Sequence, residues 1–315
     1  MNIVVLDKFS MGDDTPFDAL KSLGDLMIYD KSEGDDIFSR VATADVIITN
    51  KVKISAEVIE KSANLKLICV FATGFDNIDT EAAKKRGIGV CNVPGYSTDS
   101  VTLFTVSTVL ALYSKLYEYN YFVKSGSYTS SGVPNRLIPV VHELSGKTWG
   151  IVGYGNIGRA VAAVAKAFGA NVIVNKRTPI AEERCVDIDT ICVESDIITI
   201  HCPLNEQTRN LVDKNRINMM KKEVVLVNMA RGAVLNEYDV STAVKSGRIA
   251  GFGCDVYSVE PFTSEHPYSE IMNMPNVILT PHCAWGAYEA RERCVKTIAN
   301  NITAFFEGRI FNRVD

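Results

Sequence analysis

The sequence predicts an α/β protein built on doubly wound parallel sheets. Short apolar runs, such as those at 46–49 and 197–201, alternate along the chain with helical patterns. Each run is apolar at nearly every residue rather than at every second residue, which is typical of strands buried on both faces of a parallel sheet. At roughly 150 residues per domain, the 315 residues suggest two domains.

The individual elements follow from this alternation and from the residues that end each run. In the first part we expect strands at 3–6, 46–49, 67–71 and 88–91, and helices at 56–61 and 80–86, the second of them beginning after Asp79. In the second part we expect strands at 149–153, 172–174, 197–201, 224–228, 251–255 and 277–280, and helices at 156–168, 214–219, 237–246 and 266–273. A long helix at 99–123, a Ser/Gly/Pro-rich arm at 125–139 and a last helix at 286–307 complete the chain.

Composition excludes several classes of protein. Hydrophobic residues make up 47% of the chain and charged residues 22%, so the chain has enough apolar content for a core and is not disordered. The 33 Lys and Arg residues against 37 Asp and Glu residues give a net charge of −4, which argues against a general binder of nucleic acid or anionic membranes. We find no signal peptide in the opening segment and no apolar stretch of the ~20 residues that a membrane span needs, so we expect a cytoplasmic protein.

The eight cysteines favour a packing role. They are Cys69, Cys91, Cys185, Cys192, Cys202, Cys254, Cys283 and Cys294, and none of them forms a Cys-x-x-Cys pair. Zinc and thioredoxin-like sites are therefore weakly supported, and we expect reduced, buried thiols and no metal.

The strongest local signal is Gly-Tyr-Gly-Asn-Ile-Gly at 153–158, between an expected strand and an expected helix. Gly153 permits the tight turn, Gly155 lets the backbone approach a pyrophosphate, and Gly158 allows close packing of helix on strand. Asn156 and Ile157 begin the helix, whose N-terminal N–H groups suit phosphates. The motif predicts dinucleotide binding.

The end of the next strand bears on the choice of cofactor. NAD sites usually carry an acidic residue there, but this chain has Lys176, Arg177 and Thr178. Two cations and a hydroxyl would attract a 2′-phosphate, so we favour NADP over NAD. A solvated basic turn is the alternative, and NAD stays open.

Polar residues that could do chemistry follow three later strands. Arg231 follows the expected strand at 224–228, and His282 follows the one at 277–280. Asp255 ends the expected strand at 251–255, and Glu260 comes shortly after it. Ligands of open α/β sheets gather at the carboxyl ends of strands, so these segments could meet at one site. An arginine can bind a carboxylate, and a histidine beside a carboxylate can give or take a proton.

These motifs together resemble the D-isomer-specific 2-hydroxyacid dehydrogenase family. The resemblance rests on the glycine motif, Asn-Met-Ala-Arg-Gly at 228–232, Asp255 with Glu260-Pro261, and Thr-Pro-His at 280–282, and it covers nearly the whole chain. Segments 49–52, 72–79, 92–100 and 281–285 are similar to the glycerate dehydrogenase/hydroxypyruvate reductase branch.

The resemblance implies two Rossmann-like domains with the active site in the cleft between them. A substrate-binding domain would comprise 1–98 plus 287–315, and a dinucleotide-binding domain 99–286. The domains would close across a hinge at 92–100, and a homodimer would form through the arm at 125–139.

The resemblance also implies roles for individual residues. Arg231 would bind the substrate carboxylate and carbonyl, and His282, with Glu260 as its partner, would be the general acid in reduction. Asp255 would hold the nicotinamide carboxamide. The substrate would also meet Lys51, Thr73 and Gly74. The remaining cofactor-lining residues would be His201, Cys202, Pro203, Thr208, Met229, Ala230 and Ala284.

The chain departs from its relatives at a few positions. Leu103 and Phe104 stand where many relatives carry an acidic or amide residue followed by histidine, and Cys283 replaces an apolar residue after the histidine. Trp285 could be a pocket wall or ordinary core. None of these departures removes a catalytic group.

We therefore expect an oxidoreductase that transfers a hydride between NAD(P)H and a small 2-oxo acid, such as hydroxypyruvate to D-glycerate or glyoxylate to glycolate. One alternative is an enzyme of the same fold that acts on a bulkier 2-oxo acid. The other is a binding protein that senses nucleotides without catalysis, because fold does not fix function. The physiological substrate stays open.

Overall fold

The structure, a computed structural model, describes residues 1–178 and 180–315. The chain divides into two compact units, one comprising Met1–Ser97 with Gly286–Asp315 and the other Thr98–Trp285. A parallel sheet with helices packed against it forms the centre of each unit. The predicted α/β class with parallel sheets is confirmed.

The first unit contains a five-stranded sheet in the order β2-β1-β3-β4-β5, with every pair parallel. Its strands are β1 (Asn2–Val5), β2 (Asp25–Ile28), β3 (Val46–Thr49), β4 (Leu67–Val70) and β5 (Gly89–Cys91). Its helices are α1 (Asp18–Lys21), α2 (Asp36–Val41), α3 (Ala56–Lys61), α4 (Thr80–Lys85) and the long C-terminal α12 (Tyr288–Phe306), with a 3-10 turn at Lys8–Met11.

Local sequence explains these elements. Every residue of β3 and β4 is buried, as continuous apolar runs require in a covered sheet. The side chain of Ser55 caps α3 and that of Asp79 caps α4, each accepting a backbone N–H of the first turn. Helix α12 packs on β4 and β5, and the N–H of Val314 donates to the carbonyl of Val90. The last residues of the chain thereby join the first unit.

The second unit contains a seven-stranded sheet in the order β12-β11-β10-β9-β6-β7-β8, again parallel throughout. Its strands are β6 (Thr148–Val152), β7 (Asn171–Asn175), β8 (Arg184–Cys185), β9 (Ile197–Ile200), β10 (Val225–Asn228), β11 (Gly251–Cys254) and β12 (Val277–Leu279). Its helices are α5 (Thr98–Tyr113), α6 (Leu116–Lys124), α7 (Ser127–Ser131), α8 (Asn156–Ala167), α9 (Ile188–Glu194), α10 (Lys214–Met219) and α11 (Glu237–Lys245), with 3-10 turns at Gly232–Val234 and Pro267–Glu270.

The core of this unit lies on both faces of its sheet. Helices α5 and α8 pack together on one face, around Trp149 and Val227. Helices α9, α10 and α11 cover the other face, around Leu226 and Phe252. Asp187, Asp213 and Asn236 cap these three helices through their side chains.

Two expected helices differ from the structure. The helix expected at 99–123 is broken into α5 and α6 at Lys115, which has a left-handed backbone with φ 54°. Helix α5 buries one face whereas α6 buries no residue, so the chain changes direction between them although the helical pattern continues. The helix expected at 266–273 shortens to the 3-10 turn, whose first position is Pro267.

Sequence patterns also missed several short elements. Strand β2 alternates exposed and half-buried residues at the edge of its sheet, and β8 has only two residues, so neither shows a continuous apolar run. Helices α1, α2, α7 and α9 were not expected either. Among the described residues, no helix is long and apolar enough to cross a membrane.

Candidate active site

The glycine motif forms the turn between β6 and α8. Gly153 has φ 91°, which an L side chain rarely adopts, and a Cβ there would lie 2.5 Å from the backbone N of Cys202. A Cβ on Gly158 would lie 2.2 Å from the carbonyl oxygen of Gly153. The turn therefore packs tightly against its own helix and against the segment that follows β9.

The same turn leaves space where a phosphate would approach. A Cβ built on Gly155 meets nothing within 4 Å, although glycine stands there, and α8 begins at the next residue, Asn156. Ile157 lies in the first turn of α8. The N-terminal N–H groups of this helix thus face an open space beside the turn at 153–158, which we call the cradle. These residues fit the pyrophosphate of a dinucleotide.

Strand β7 ends beside this cradle. The N–H of Gly153 donates to the carbonyl of Asn175 at 2.9 Å, so the basic segment that follows, with Lys176, Arg177 and Thr178, lies next to the glycine turn. Lys176 is half-buried, and Arg177 and Thr178 are exposed. No carboxylate occupies these positions.

The nearby carboxylate of Glu183 is engaged elsewhere. It accepts hydrogen bonds of 2.6 Å from the Tyr154 hydroxyl and from the Lys166 ammonium. Burial alone would raise the pKa of Glu183, but these two hydrogen bonds outweigh burial and the pKa is lowered. Glu183 thus serves to hold the glycine turn against residues 180–186.

His201 and Cys202 follow β9 against the glycine turn. The ring of His201 is buried, and neither of its nitrogens has a hydrogen-bond partner among the described residues. Burial lowers the pKa of His201 to about 3, so the ring is neutral. A buried imidazole without a partner indicates a missing polar group at this point.

The remaining cofactor-lining candidates lie in buried or tightly turned segments. The hydroxyl of Thr208 donates to the carbonyl of Pro203 at 2.7 Å and closes the turn between them. Met229 and Ala230 are buried after β10, and Ala284 is buried after β12.

The carboxyl ends of β10, β11 and β12 meet, because these strands are neighbours in the sheet. A Cβ on Gly232 would lie 2.1 Å from the carbonyl carbon of Tyr257, so the segment after β10 packs directly on the segment after β11. The Tyr257 hydroxyl donates to the carbonyl of Thr280 at 2.8 Å, which links the segments after β11 and β12.

Asp255 binds the segment after β12. Its carboxylate, 2% exposed, accepts hydrogen bonds from the Thr280 hydroxyl at 2.6 Å and from the N–H groups of Cys283 and Ala284, each at 2.9 Å. These contacts surround His282 in sequence, so Asp255 fixes the backbone that carries the histidine.

His282 and Glu260 form a close pair. Nδ1 of His282 lies 2.6 Å from Oε2 of Glu260, and the two side chains are 24% and 30% exposed. Within the part of the chain that the structure describes, Nε2 of His282 has no hydrogen-bond partner. A carboxylate that holds one ring nitrogen leaves the other available for proton transfer.

Neighbouring groups fix both members of the pair. The N–H of Tyr257 donates to Oε1 of Glu260 at 2.9 Å, and the indole N–H of Trp285 donates to the carbonyl of His282 at 2.8 Å. His282 has φ 51°, a left-handed conformation that costs a non-glycine residue about 1–2 kcal/mol. Burial raises the pKa of Tyr257, and nearby ionisable groups add to the effect, so its hydroxyl stays protonated as a donor.

Arg231 lies in a turn that the side chain of Asn228 closes. Asn228 donates to the carbonyl of Arg231 at 2.9 Å and accepts the N–H of Ala230 at 3.0 Å. One guanidinium nitrogen of Arg231 donates to the carbonyl of Ala230. Arg231 is half-buried, and the turn holds it at the carboxyl end of β10.

The candidates of the first unit follow two paired strands, β3 and β4. Lys51 lies in a loop whose backbone is held by Asp7, since the carboxylate accepts the N–H groups of Asn50, Lys51 and Val52. Thr73, followed by Gly74, donates its hydroxyl to the carbonyl of Val93 at 3.0 Å. The structure thus places the three candidates at one end of this sheet.

Sequence reasoning missed several residues that support the pair. Tyr257, Glu237 and His266 belong to no recognisable motif, and the sequence does not distinguish a pocket wall from core for Trp285. The sequence could have indicated Tyr257 only through its position, because it lies between Asp255 and Glu260 in the same loop.

A cavity of about 1300 Å³ opens beside His282 and Glu260, and its other walls include aromatic residues of α6.

Comparison with known proteins decides the family. Residues 106–284 match the family described as D-isomer specific 2-hydroxyacid dehydrogenase, NAD binding domain. The chain belongs to this family. The resemblance stated from the motifs is confirmed, and the protein is an NAD(P)-dependent 2-hydroxyacid dehydrogenase.

Relatives of this dehydrogenase match over most of their length. A hydroxypyruvate reductase of Blautia hydrogenotrophica is 35% identical, with 100% of both chains covered. A glyoxylate reductase of Thermococcus litoralis is 38% identical over 87% of this chain and 84% of its own. A glycerate dehydrogenase of Methylorubrum extorquens is 34% identical over 89% and 88%.

Solved structures share the fold of the dehydrogenase. A Thermus thermophilus protein superposes with a TM-score of 0.86 at 30% identity, with both chains covered completely. An acyclic imino acid reductase in complex with NADPH and D-Arg gives 0.87 at 28% identity, also over 100% of both chains. A D-lactate dehydrogenase of Aquifex aeolicus, complexed with NAD and lactic acid, gives 0.83 at 29% identity over 98% and 96%.

Proposed function

We propose that the dehydrogenase reduces a small 2-oxo acid, such as hydroxypyruvate or glyoxylate, with NADPH favoured over NADH. The observation that carries the proposal is the His282–Glu260 pair, 2.6 Å apart, whose second ring nitrogen is available. The substrate class is supported by relatives named hydroxypyruvate reductase, glyoxylate reductase and glycerate dehydrogenase at 34–38% identity.

The proposed chemistry divides between cofactor and protein. When bound, the nicotinamide would supply the hydride that the carbonyl carbon of the 2-oxo acid accepts. His282 donates the proton from Nε2 to the carbonyl oxygen, so that one hydride and one proton convert the carbonyl group of the 2-oxo acid to an alcohol. Glu260 holds Nδ1 and stabilises the charged imidazole before it gives up its proton.

Other residues would bind the substrate and the cofactor. Arg231 suits the substrate carboxylate, because a guanidinium binds carboxylates through two parallel hydrogen bonds and stabilises negative charge on the carbonyl oxygen. We propose that Lys51 and the backbone at Thr73 and Gly74 add contacts to the same carboxylate. Asp255 remains our candidate for the nicotinamide carboxamide, in addition to the hydrogen bonds that it accepts from Thr280, Cys283 and Ala284.

The preference for NADPH rests on charge at the end of β7. Lys176 and Arg177 follow Asn175 beside the glycine turn, where NAD sites place an acidic residue. The carboxylate of Glu183 is paired with Lys166, so it does not take the place of the missing acid. The Lys176→Asp variant should shift the ratio of kcat/KM for NADPH over NADH by about tenfold or more toward NADH.

The exposed Lys222→Asp variant carries the same charge change away from the cradle and should leave that ratio unchanged. If the wild type uses NADPH and NADH equally well, the cofactor preference is wrong.

A panel of 2-oxo acids tests the substrate class. The assay follows loss of the absorbance of the reduced nicotinamide cofactor. The substrates are hydroxypyruvate, glyoxylate, pyruvate and a branched, bulkier 2-oxo acid, each tested with NADPH and with NADH. We expect the highest kcat/KM with hydroxypyruvate or glyoxylate. A higher value for the bulkier acid would instead support the alternative enzyme, and no consumption with any acid would refute the proposed function.

We also propose that the dehydrogenase forms a homodimer through the segment after α5. Large apolar side chains are exposed along α6 and the following arm, among them Tyr121 at 71%, Leu137 at 77% and Ile138 at 71%. Exposed apolar patches of this kind mark association surfaces. Sedimentation should give twice the chain mass for the wild type and for the Ile310→Asp control in the first unit, but the chain mass for the double variant L137D/I138D.

A further inference from the structure

A buried carboxylate–imidazole pair lies in the same unit as His282 and Glu260. Glu237 is the first residue of α11, and His266 directly precedes the 3-10 turn Pro267–Glu270. Nε2 of His266 lies 3.0 Å from Oε2 of Glu237, and the side chains are only 6% and 9% exposed.

The contacts of His266 indicate which of its ring nitrogens carries the proton. Nδ1 accepts the backbone N–H of Tyr268 at 3.2 Å, so this nitrogen carries no hydrogen. The proton therefore lies on Nε2 and is donated to Glu237. Both ring nitrogens are thus engaged, and His266 has no free position for chemistry.

Glu237 also binds the loop that carries Glu260. Its Oε1 accepts the N–H of Ser258 at 2.9 Å, and its Oε2 accepts the Ser258 hydroxyl. Ser258 adjoins Tyr257, whose N–H donates to Glu260. An unbroken series of contacts thus leads from His266 through Glu237 and Ser258 to Glu260 and His282.

The loop needs such an anchor. Residues 255–266 form no helix or strand, so no regular backbone ladder fixes Glu260. The rings of Tyr257, Phe262 and His266 pack together, with centroids 4.8 Å apart for Tyr257–Phe262 and 4.9 Å for Phe262–His266. Packing of this kind fills space, whereas the directed hydrogen bonds of Glu237 fix the register of the loop.

We propose that Glu237 and His266 are positioning residues that hold Glu260 at hydrogen-bonding distance from His282. The proposal rests on the proposed function, because it assigns the proton transfer to His282. A buried pair is often no more stabilising than apolar residues of similar size, so geometry explains its presence better than stability does. Neither residue need touch substrate or cofactor.

A comparison of single and double variants tests the proposal. Glu237→Gln should lower kcat about 10- to 100-fold, because small displacements of a catalytic group are costly, with little change in the KM for cofactor. In a Glu260→Gln background the same substitution should change kcat less than about twofold, since the group it positions is already lost. Equal losses in both backgrounds would overturn the proposal.

Matched controls separate positioning from general damage. Asp239→Asn removes another carboxylate from the first turn of α11 and should leave kcat within about twofold of the wild type. His266→Gln keeps a donor toward Glu237 and should retain most of kcat, whereas His266→Phe should lose as much as Glu237→Gln. If Glu237→Gln does not fold, His266→Gln and His266→Phe test the proposal instead, each compared in the wild-type and Glu260→Gln backgrounds.

Amide hydrogen exchange gives a result that does not depend on turnover. In Glu237→Gln the amides of residues 257–260 and 262 should exchange at least about tenfold faster, while β10 and β11 stay protected as in the wild type. Unchanged exchange in this loop would overturn the proposal even if the enzyme proved inactive on every 2-oxo acid. Inactivity of the wild type with the expected exchange would refute the proposed function alone.

Discussion

Among the described residues of the second unit, two of the glutamate–histidine pairs have the same functional groups and contrasting surroundings. His282 and Glu260 lie 2.6 Å apart and are 24% and 30% exposed, whereas His266 and Glu237 lie 3.0 Å apart and are 6% and 9% exposed. Nδ1 of His282 faces its glutamate and Nε2 is available, but both nitrogens of His266 have partners.

The chemical groups alone therefore do not define a catalytic pair. We propose that an available ring nitrogen beside a cavity lets His282 exchange a proton, whereas His266 is buried with both ring nitrogens paired and does not. The buried pair supports the loop that carries the exposed pair. Substitutions in the two pairs should therefore have different effects on catalysis and on stability.

Removal of the Glu260 charge should affect catalysis far more than stability. Glu260→Gln keeps the shape of the side chain but no longer stabilises a charged His282, so kcat should fall about 10³-fold. Because Glu260 is 30% exposed, the melting temperature should change little. Steady-state kinetics and thermal unfolding measure the two quantities, and a large loss of stability with normal kcat would reverse the roles of the pairs.

Removal of the His266 ring should affect stability strongly. His266→Ala leaves Glu237 buried without one of its donors, which should lower the free energy of unfolding of the second unit by about 3 kcal/mol. Chemical denaturation followed by circular dichroism measures the change. An unchanged unfolding transition would show that the hydrogen bond between His266 and Glu237 contributes nothing to the free energy of unfolding.

Some of this arrangement could be predicted from the sequence, and some could not. The continuous apolar runs indicate both parallel sheets, and the glycine motif indicates the cradle, because each depends on adjacent residues. The expectation that Glu260 and His282 meet followed from strand ends and from family resemblance. The His266–Glu237 pair joins residues 29 positions apart and has no motif, so it depends on how the loop folds over α11.

Other differences arise from single residues. The break between α5 and α6 depends on the left-handed backbone of Lys115, which helical periodicity does not reveal. The sequence does not define the role of Trp285, because an indole suits both core and pocket. In the structure the indole N–H of Trp285 donates to the carbonyl of His282, which gives Trp285 a specific position beside the His282–Glu260 pair.

Loss of the Trp285 hydrogen bond should have a moderate effect. Trp285→Phe keeps an aromatic ring but removes the donor to the carbonyl of His282, a residue with a left-handed backbone conformation. We expect kcat to fall about fivefold, equivalent to about 1 kcal/mol for one hydrogen bond. A Trp149→Phe variant, in the core of the same unit, is the control for general loss of an indole and should alter stability rather than kcat.

A third imidazole, that of His201, extends the comparison to a buried ring with no partner. Burial lowers its pKa to about 3 from an ordinary value of 6.5, so the folded state resists protonation that the unfolded chain accepts. The stabilising contribution is complete above about pH 6.5 and declines as the pH falls. Between about pH 7 and about pH 5.5 the free energy of unfolding should drop by about 1 kcal/mol more than in His201→Gln. Parallel slopes for the two proteins would contradict this.

The most direct test of the division of roles compares His282→Asn with His266→Asn in single-turnover reactions at saturating NADPH. Asparagine tolerates the left-handed backbone at 282, so the first variant should fold and bind cofactor normally. We predict that His282→Asn reduces the rate of substrate reduction by about 10⁴-fold with little change in melting temperature, whereas His266→Asn lowers the melting temperature and reduces the rate far less. Wild-type turnover by His282→Asn would contradict the account.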